Sequence, residues 1–286
     1  MIPGRGGAAY KARVIVPIVC VLLLTAFQVR TRAGWGTGWR PTPLREGLPT
    51  ASNGTPNRSF TFCRLLYQSV RREPGGYGWN TDYPGSDYNF VLRMEELTTT
   101  RPAKWADGEP GYAVVRPDQD ELYECPFIFM SDVGTLGFDE GEVDHLRDYL
   151  LKGGFIWVDD FWGSNAWDQW ESQIRRVLPD HSIVDIGPDH TLMHTLYSIE
   201  EIPQIPSIQW WRRNGGYETS ERGRDSETPH LRAIFDEEGR PLVIMTHNTD
   251  IADGWEREGE EDDYFFAFSP QAYALGINVV LYSLTH

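Results

Sequence analysis

A strand, a helix, a glycine pair and a second strand follow one another without interruption between residues 126 and 160. Residues 138–154 (FDEGEVDHLRDYLLKGG) carry acids at the start, an apolar stripe at helical spacing and two glycines at the end. These start and stop signals predict one complete helix between the apolar runs PFIFMS and FIWVDD. Two strands joined by a helix at this spacing predict a right-handed βαβ crossover and hence a parallel sheet.

The same alternation continues on both sides of this unit. Residues 60–68, 112–115 and 182–187 are short apolar runs typical of strands, and residues 88–100 and 168–180 have helical spacing. Residues 231–248 indicate two strands joined by a turn, and an apolar helix closes the chain. The order predicts one alternating α/β domain over residues 60–286, with a late β-hairpin.

The N-terminus carries a targeting signal. Basic residues within the first 13 positions precede residues 14–29, a charge-free apolar run that ends at an arginine. The run is short for a membrane span and long enough for a signal-peptide core, so residues 1–33 are predicted to be either a signal peptide or a membrane anchor. Residues 34–59 are rich in Gly and Pro and predict a linker. We expect an exported domain, periplasmic or anchored to the membrane by residues 14–29.

The charge of the chain restricts its partners. It contains 42 acidic and 26 basic residues, a formal net charge of −16. Such a field repels nucleic acid and anionic lipid, and no basic patch interrupts it. The expected partners are therefore a small polar ligand or another envelope protein, with no nucleic acid; the membrane is contacted only if the N-terminal segment is retained.

The cysteines allow one pairing within the domain. Cys63 and Cys125 could form a disulfide, but both lie in apolar, strand-like runs. Since buried free thiols are the commoner outcome in such runs, we expect free thiols.

Several long motifs carry a family resemblance: FTFCRLLYQ, GWNTDYPGSDYNFVLRMEELT, PFIFMSD, LRDYLLKGGFIWVDDFWG, DHTLMHTLY and GIN. With them, the chain from Phe60 to His286 resembles the domain-of-unknown-function 4159 family of bacteria. The resemblance implies a fold similar to the class I glutamine amidotransferase and ThuA-like group, a flavodoxin-like, doubly wound, mainly parallel sheet. It implies no activity and no cofactor. The amidotransferase nucleophile is a cysteine on a turn after a central strand, whereas residues 127–138 offer Ser131 and Asp132 but no cysteine. Glutamine hydrolysis by a thiol is therefore not expected.

Polar side chains collect where the predicted strands end. Because open α/β sheets bind ligands beyond the carboxyl ends of their strands, these residues are candidates for one cleft. Neighbouring strand residues point to opposite faces, so we expect one of the paired acids of FIWVDD to face the cleft and the other to hold the loop FWGSN. The candidate ligand-binding residues are Asp82, Asp87, Asp132, Asp159, Asp160, Trp162 and His190.

Two further patterns could concern a metal. His190 and His194 have the i, i+4 spacing of a helical metal site, but the segment lacks helix signals, so we predict a turn with His190 facing the cleft and His194 outside. Residues 247–256 (HNTDIADGWE) faintly resemble a calcium loop without its full pattern and are interpreted as a loop with Asx turns. No metal site is predicted.

Three functions remain open from the sequence. The first is binding of a small polar ligand, for which a saccharide fits the aromatic residues Trp79 and Tyr83 beside the acids. The second is a hydrolase, with or without a metal, using Asp159 and His190 as catalytic candidates. The third is a scaffold that docks another envelope protein.

Overall fold

The computed structural model describes residues 48–49 and 59–286. The predicted signal peptide or anchor and most of the predicted linker lie outside the described residues. Of the linker residues that are described, Pro49 is buried and Leu48 packs against the hydrophobic core of the domain.

The described residues form nine strands and six α-helices. The strands are β1 (Phe62–Leu65), β2 (Gln68–Ser69), β3 (Tyr112–Val115), β4 (Ile128–Ser131), β5 (Leu136–Gly137), β6 (Ile156–Asp159), β7 (Ile183–Asp185), β8 (His230–Phe235) and β9 (Pro241–His247). The helices are α1 (Gly85–Leu97), α2 (Glu140–Leu151), α3 (Gly163–Val177), α4 (Ile208–Asn214), α5 (Ile251–Glu256) and α6 (Asp262–Thr285).

Seven strands form the central sheet, in the order β3-β1-β4-β6-β9-β8-β7. Strands β3, β1, β4, β6 and β9 are parallel, and β8 runs antiparallel to both β9 and β7. The βαβ prediction is confirmed, since β4 and β6 are adjacent and parallel, with Ser131 beside Asp159. The late hairpin is confirmed as well, and it leaves the sheet mainly rather than wholly parallel.

Capping signals explain why the predicted start of one helix agrees with the structure and that of another does not. Helix α2 begins with a capping box between Asp139 and Glu142, the acids that predicted it. Helix α3 begins five residues earlier than the predicted residue 168. Its first turn is stabilised from outside, because the Asp225 side chain accepts hydrogen bonds from both the backbone N and Oγ of Ser164. No local pattern could reveal that contact.

Two cores cover the two faces of the sheet. Alternate residues of each parallel strand face opposite sides, so Phe129 and Trp157 belong to the core under α1, α5 and α6, whereas Met130 and Val158 belong to the core under α2 and α3. Of the helices that the structure describes, α6 is long and apolar enough to cross a membrane, and 61% of its apolar window is buried in the domain. Its apolar character is that of a core helix.

The expectation of free thiols is wrong. Cys63 and Cys125 form a disulfide, with their Cα atoms 6.0 Å apart. Cys63 lies on β1 and Cys125 precedes the neighbouring strand β4, so the sheet brings together two residues that are 62 positions apart in sequence. Burial, which suggested free thiols, is equally compatible with a bond between them.

Candidate functional site

The chain turns sharply where the parallel strands end. Four non-glycine residues in the described part of the chain have positive φ: Asp82 (63°), Asp132 (53°), Asp160 (54°) and Asn248 (62°). Three of them directly follow β4, β6 and β9, and Asp82 lies in the connection after β1. Asp and Asn tolerate the left-handed conformation better than other non-glycine residues. These turns redirect polar side chains at one edge of the sheet.

The two adjacent acids after Val158 have different roles. Asp159 is fully buried and accepts hydrogen bonds from Thr246 Oγ1 (2.6 Å) and from the backbone N of Ala252 (2.9 Å). Burial raises the pKa of Asp159 to about 7. The expectation was that one acid holds the loop FWGSN and the other faces the cleft. Asp159 does neither and connects β6 to β9 and α5, whereas Asp160 contacts that loop by accepting a hydrogen bond from Trp162 Nε1. Asp160 follows β6 in a left-handed conformation.

Asp160 meets two other carboxylates there. One carboxylate oxygen from each of Asp82, Asp160 and Asp250 lies within 4.8 Å of the other two, and Asp82 forms a second such group with Asp253 and Glu256. We call these five residues the acidic pocket. They come from three separate connections, after β1, after β6 and after β9, so the pocket exists only in the folded chain.

Hydrogen bonds divide the pocket acids into two kinds. Asp253 is satisfied, because its Oδ2 accepts from Ile208 N (2.7 Å) and from Tyr264 Oη (2.9 Å). Asp160 accepts from Trp162 Nε1 at 3.0 Å through Oδ1, and Asp250 accepts from Asp253 N at 2.8 Å through Oδ1. Among the described residues, no donor bonds the second oxygen of either carboxylate.

The Asp82 carboxylate is in a similar state, since the described residues give it one hydrogen bond, a long contact of 3.4 Å from Ser131 Oγ. Within the described part of the chain, no ion pair reaches Asp82, Asp160 or Asp250. Burial and then neighbouring carboxylates raise the pKa of all three well above the usual range. Burial also raises the pKa of Glu256 to about 7, although Arg257 lies 2.7 Å from it. The pocket therefore concentrates carboxyl groups, and the raised pKa values favour their protonated, uncharged forms.

One buried base lies beneath the pocket, and sequence analysis did not single it out. Arg64 of β1 is fully buried and pairs with the equally buried Asp87, at 2.8 Å between Nη2 and Oδ2. Its Nη1 also donates to the backbone oxygens of Trp79 (3.1 Å) and Thr81 (2.9 Å). These bonds fix the connection that carries Asp82. The sequence signal for a buried base was the single charged residue inside the apolar run FTFCRLLY.

Three of the sequence candidates have structural roles around the pocket. Asp87 lies in the first turn of α1 and neutralises Arg64. Asp132 is buried and accepts a hydrogen bond from Gly78 N (2.6 Å), and burial raises its pKa to about 7. Trp162 is 4% exposed and orients Asp160 through its indole nitrogen, so it offers little ring surface to a ligand.

The histidine candidates lie elsewhere. His190 begins a 3₁₀ turn, where its Nδ1 accepts from Leu192 N, and its ring packs against Phe235 and Tyr282. Phe235 pairs with Pro241 at the amino end of β9. His190 therefore lies at the opposite end of the strands from the acidic pocket. His194 bonds the backbone oxygen of Pro188 at 2.8 Å. Neither imidazole joins the acidic pocket, and the expected orientation of His190 toward the cleft is not observed.

The segment HNTDIADGWE is not a simple loop. It contains α5, and Asp250 caps this helix by accepting from Asp253 N at 2.8 Å. The helix carries Asp253 and Glu256 one turn apart toward Asp82. The missed signal was an Asp three residues before another acid, immediately after a strand, which is an N-cap pattern.

Comparison with known proteins gives a family but no activity. No curated protein matches the chain. The model of a family described as a domain of unknown function, DUF4159, matches residues 61–284, a span that includes every strand and every acid of the pocket. The chain belongs to the DUF4159 family.

Proposed function

We propose that this chain is an exported binding domain whose acidic pocket takes a small polar ligand that presents hydroxyl groups or positive charge. The observation that carries the proposal is the convergence of Asp82, Asp160 and Asp250 from three connections, each with one carboxylate oxygen to which no described residue donates a hydrogen bond. Buried charges without a partner are unfavourable in a folded protein, so a ligand that donates hydrogen bonds or positive charge would stabilise them.

The position of the pocket supports the proposal. In the sheet, β3 lies next to β1 on one side and β4 lies next to β1 on the other. The strand order therefore reverses between β1 and β4. Doubly wound sheets of the flavodoxin-like kind, to which we assign this fold, bind ligands at that reversal and beyond the carboxyl ends of the strands. Asp82 and Asp160 follow β1 and β6, which flank β4 in the sheet.

The chemistry of the pocket defines the ligand class. Uncompensated carboxylates repel phosphates and other anions, so a neutral saccharide or an amine is the matching ligand. Export is supported by the Cys63–Cys125 disulfide, because such bonds persist mainly in oxidising compartments.

Thermal unfolding with a ligand panel tests the proposal. The panel contains neutral mono- and disaccharides, a diamine, and a sugar phosphate as the expected non-binder. A binder should raise the Tm of the wild type and lose its effect in Asp160→Asn, since Asn tolerates the left-handed turn but removes the charge. Asp168→Asn is the matched control, because Asp168 is an exposed acid on α3 outside the pocket. Equal Tm shifts in both variants would reject the pocket as the binding site.

A second candidate is metal-assisted hydrolysis, which the spacing of the carboxylates favours. Oxygens from Asp82, Asp160 and Asp250 within 4.8 Å of one another are a suitable ligand set for a hard divalent cation. The metal would activate water in a reaction that does not involve His190, since that residue lies at the other edge of the sheet. Metal analysis of the purified protein, and titration with Mn²⁺ in wild type and Asp160→Asn, distinguish this candidate from metal-free binding.

A further inference from the structure

We infer that two loops form a lid over the carboxyl edge of the sheet, and that Arg222 is the clasp that joins them. The first loop is residues 70–80 and the second is residues 215–229. The purpose that we assign to the lid, control of access to the acidic pocket, rests on the proposed function. The lid itself is inferred from contacts that are independent of that function.

The first loop lies over Asp132. Gly78 N donates to Asp132 Oδ2, and Gly76 approaches the same carboxylate so closely that a Cβ atom there would collide with it. Arg71 anchors the start of the loop by donating to the backbone oxygens of Gly134 (3.2 Å) and Asn165 (2.8 Å). This loop therefore covers the ends of β4 and β6.

The second loop has a fixed side and a free side. On the fixed side, Gln204 Nε2 donates to Ser226 O (2.8 Å) and Asn248 Nδ2 donates to Thr228 O (2.8 Å). The loop is fixed before Arg222 as well, because Ser207 N donates to Glu221 Oε1 (2.8 Å) and Thr219 Oγ1 donates to Gln204 Oε1 (2.7 Å). The free side is therefore limited to residues 222–225, which extend toward α3, where the exposed Asp225 bonds Ser164.

Arg222 closes the gap between the loops. Its Nη2 donates to the backbone oxygen of Pro74 at 2.7 Å, and this contact is exposed to solvent. Gly163, three residues after Asp160, lies against the same side chain, since a Cβ atom there would be 3.6 Å from Arg222 Cγ. The clasp therefore lies beside the start of α3.

The contacts on the two sides differ in strength. The exposed bonds of Arg222 and Asp225 compete with water, whereas the Ser226 side chain is fully buried inside its own loop. Opening should therefore begin at the clasp, with the fixed side remaining in place.

Carboxyl footprinting tests the lid without any ligand. The full chain is treated with a water-soluble carbodiimide and glycine ethyl ester, and labelling of each acid is measured by peptide mass spectrometry. Arg222→Ala should label Asp132 and Asp160 several-fold faster than the wild type. Arg224→Ala removes the same charge from the same loop at an exposed residue whose side chain has no hydrogen bond or ion pair with the described residues, and it should label both acids at the wild-type rate.

Asp225→Asn is the second variant, and it should give a smaller increase because it weakens the other exposed contact. Equal labelling rates in the wild type and both clasp variants would overturn the lid, as would an equal increase in Arg224→Ala. Because no ligand is present, a negative ligand panel would reject the proposed function while leaving this result intact.

Discussion

Asp82 and Asp87 are five residues apart in one connection, yet they lie in opposite electrostatic environments. Asp87 is fully buried and faces the equally buried guanidinium of Arg64. The Asp82 carboxylate lies near those of Asp160, Asp250 and other acids, and among the described residues it accepts one long hydrogen bond, from Ser131 Oγ. The Asp87–Arg64 pair fixes the connection that carries Asp82. The fold therefore leaves Asp82 without a basic partner while it neutralises the buried Asp87 beside it.

The largest effect on stability should come from removing Arg64 from its buried ion pair with Asp87. Arg64→Met leaves Asp87 buried without a partner and releases Trp79 O and Thr81 O, so the free energy of unfolding should fall by about 3 to 5 kcal/mol. Urea denaturation measures the change. The double variant Arg64→Met/Asp87→Leu should recover part of the loss, because no buried charge is then unpaired. A single variant as stable as the double variant would contradict this account.

The pH dependence of stability should follow the buried acids with raised pKa values. The pKa values of Asp159, Asp132 and Glu256 are raised to about 7 in the folded chain, against about 4 in the unfolded chain. The folded chain holds protons in this window that the unfolded chain has released, so the free energy of unfolding should fall as pH rises from about 4 to about 7.

His247 opposes this trend. Burial lowers its pKa to about 3, so its contribution to stability is lost as pH falls from about 6.5 to about 3. Urea denaturation at pH 5 and pH 8 decides the balance, and we expect greater stability at pH 5. Greater stability at pH 8 would mean that Asp159, Asp132 and Glu256 are neutralised by contacts other than protons.

Asp160→Asn and Asp87→Asn compare the two environments directly. Asp160→Asn removes a carboxyl group whose charged form is disfavoured by burial and then by neighbouring acids, so the free energy of unfolding at pH 8 should rise by about 1 kcal/mol. Removing the charge of Asp87 leaves Arg64 unpaired and should lower it. Chemical denaturation of the two variants at one pH provides the test, and changes of the same sign would show that the two environments are alike.

The smallest effect on the pocket should come from His190→Asn. Asn can still accept from Leu192 N, whereas the ring contacts with Phe235 and Tyr282 are lost, so stability should fall by about 1 kcal/mol. Burial lowers the pKa of His190 itself, so the variant should lose only that group's own part of the pH dependence, below about pH 6.5. A change in the pH dependence above about pH 7 would place His190 in electrostatic contact with the pocket.

Local pattern predicted the scaffold better than the site. The helix between β4 and β6 was predictable because its capping box and terminal glycines are neighbours in sequence. Strand β3 was predicted with its observed bounds. Helix α3 begins early because the Asp225 side chain bonds its first turn from another loop. Helix α5 was predicted as a loop because its acids were interpreted as Asx turns rather than as a helix N-cap.

The sequence by itself determined the alternation of strands and helices and the presence of acids at strand ends. Hydrophobic periodicity, helix caps and terminal glycines are signals that extend over only a few residues. Only the tertiary structure decided which of those acids are satisfied. Arg64 meets Asp87 across 23 residues of sequence, and Asp159 meets Ala252 across 93. Whether a carboxylate builds the fold or remains available to a ligand depends on such distant partners, and burial makes that difference large.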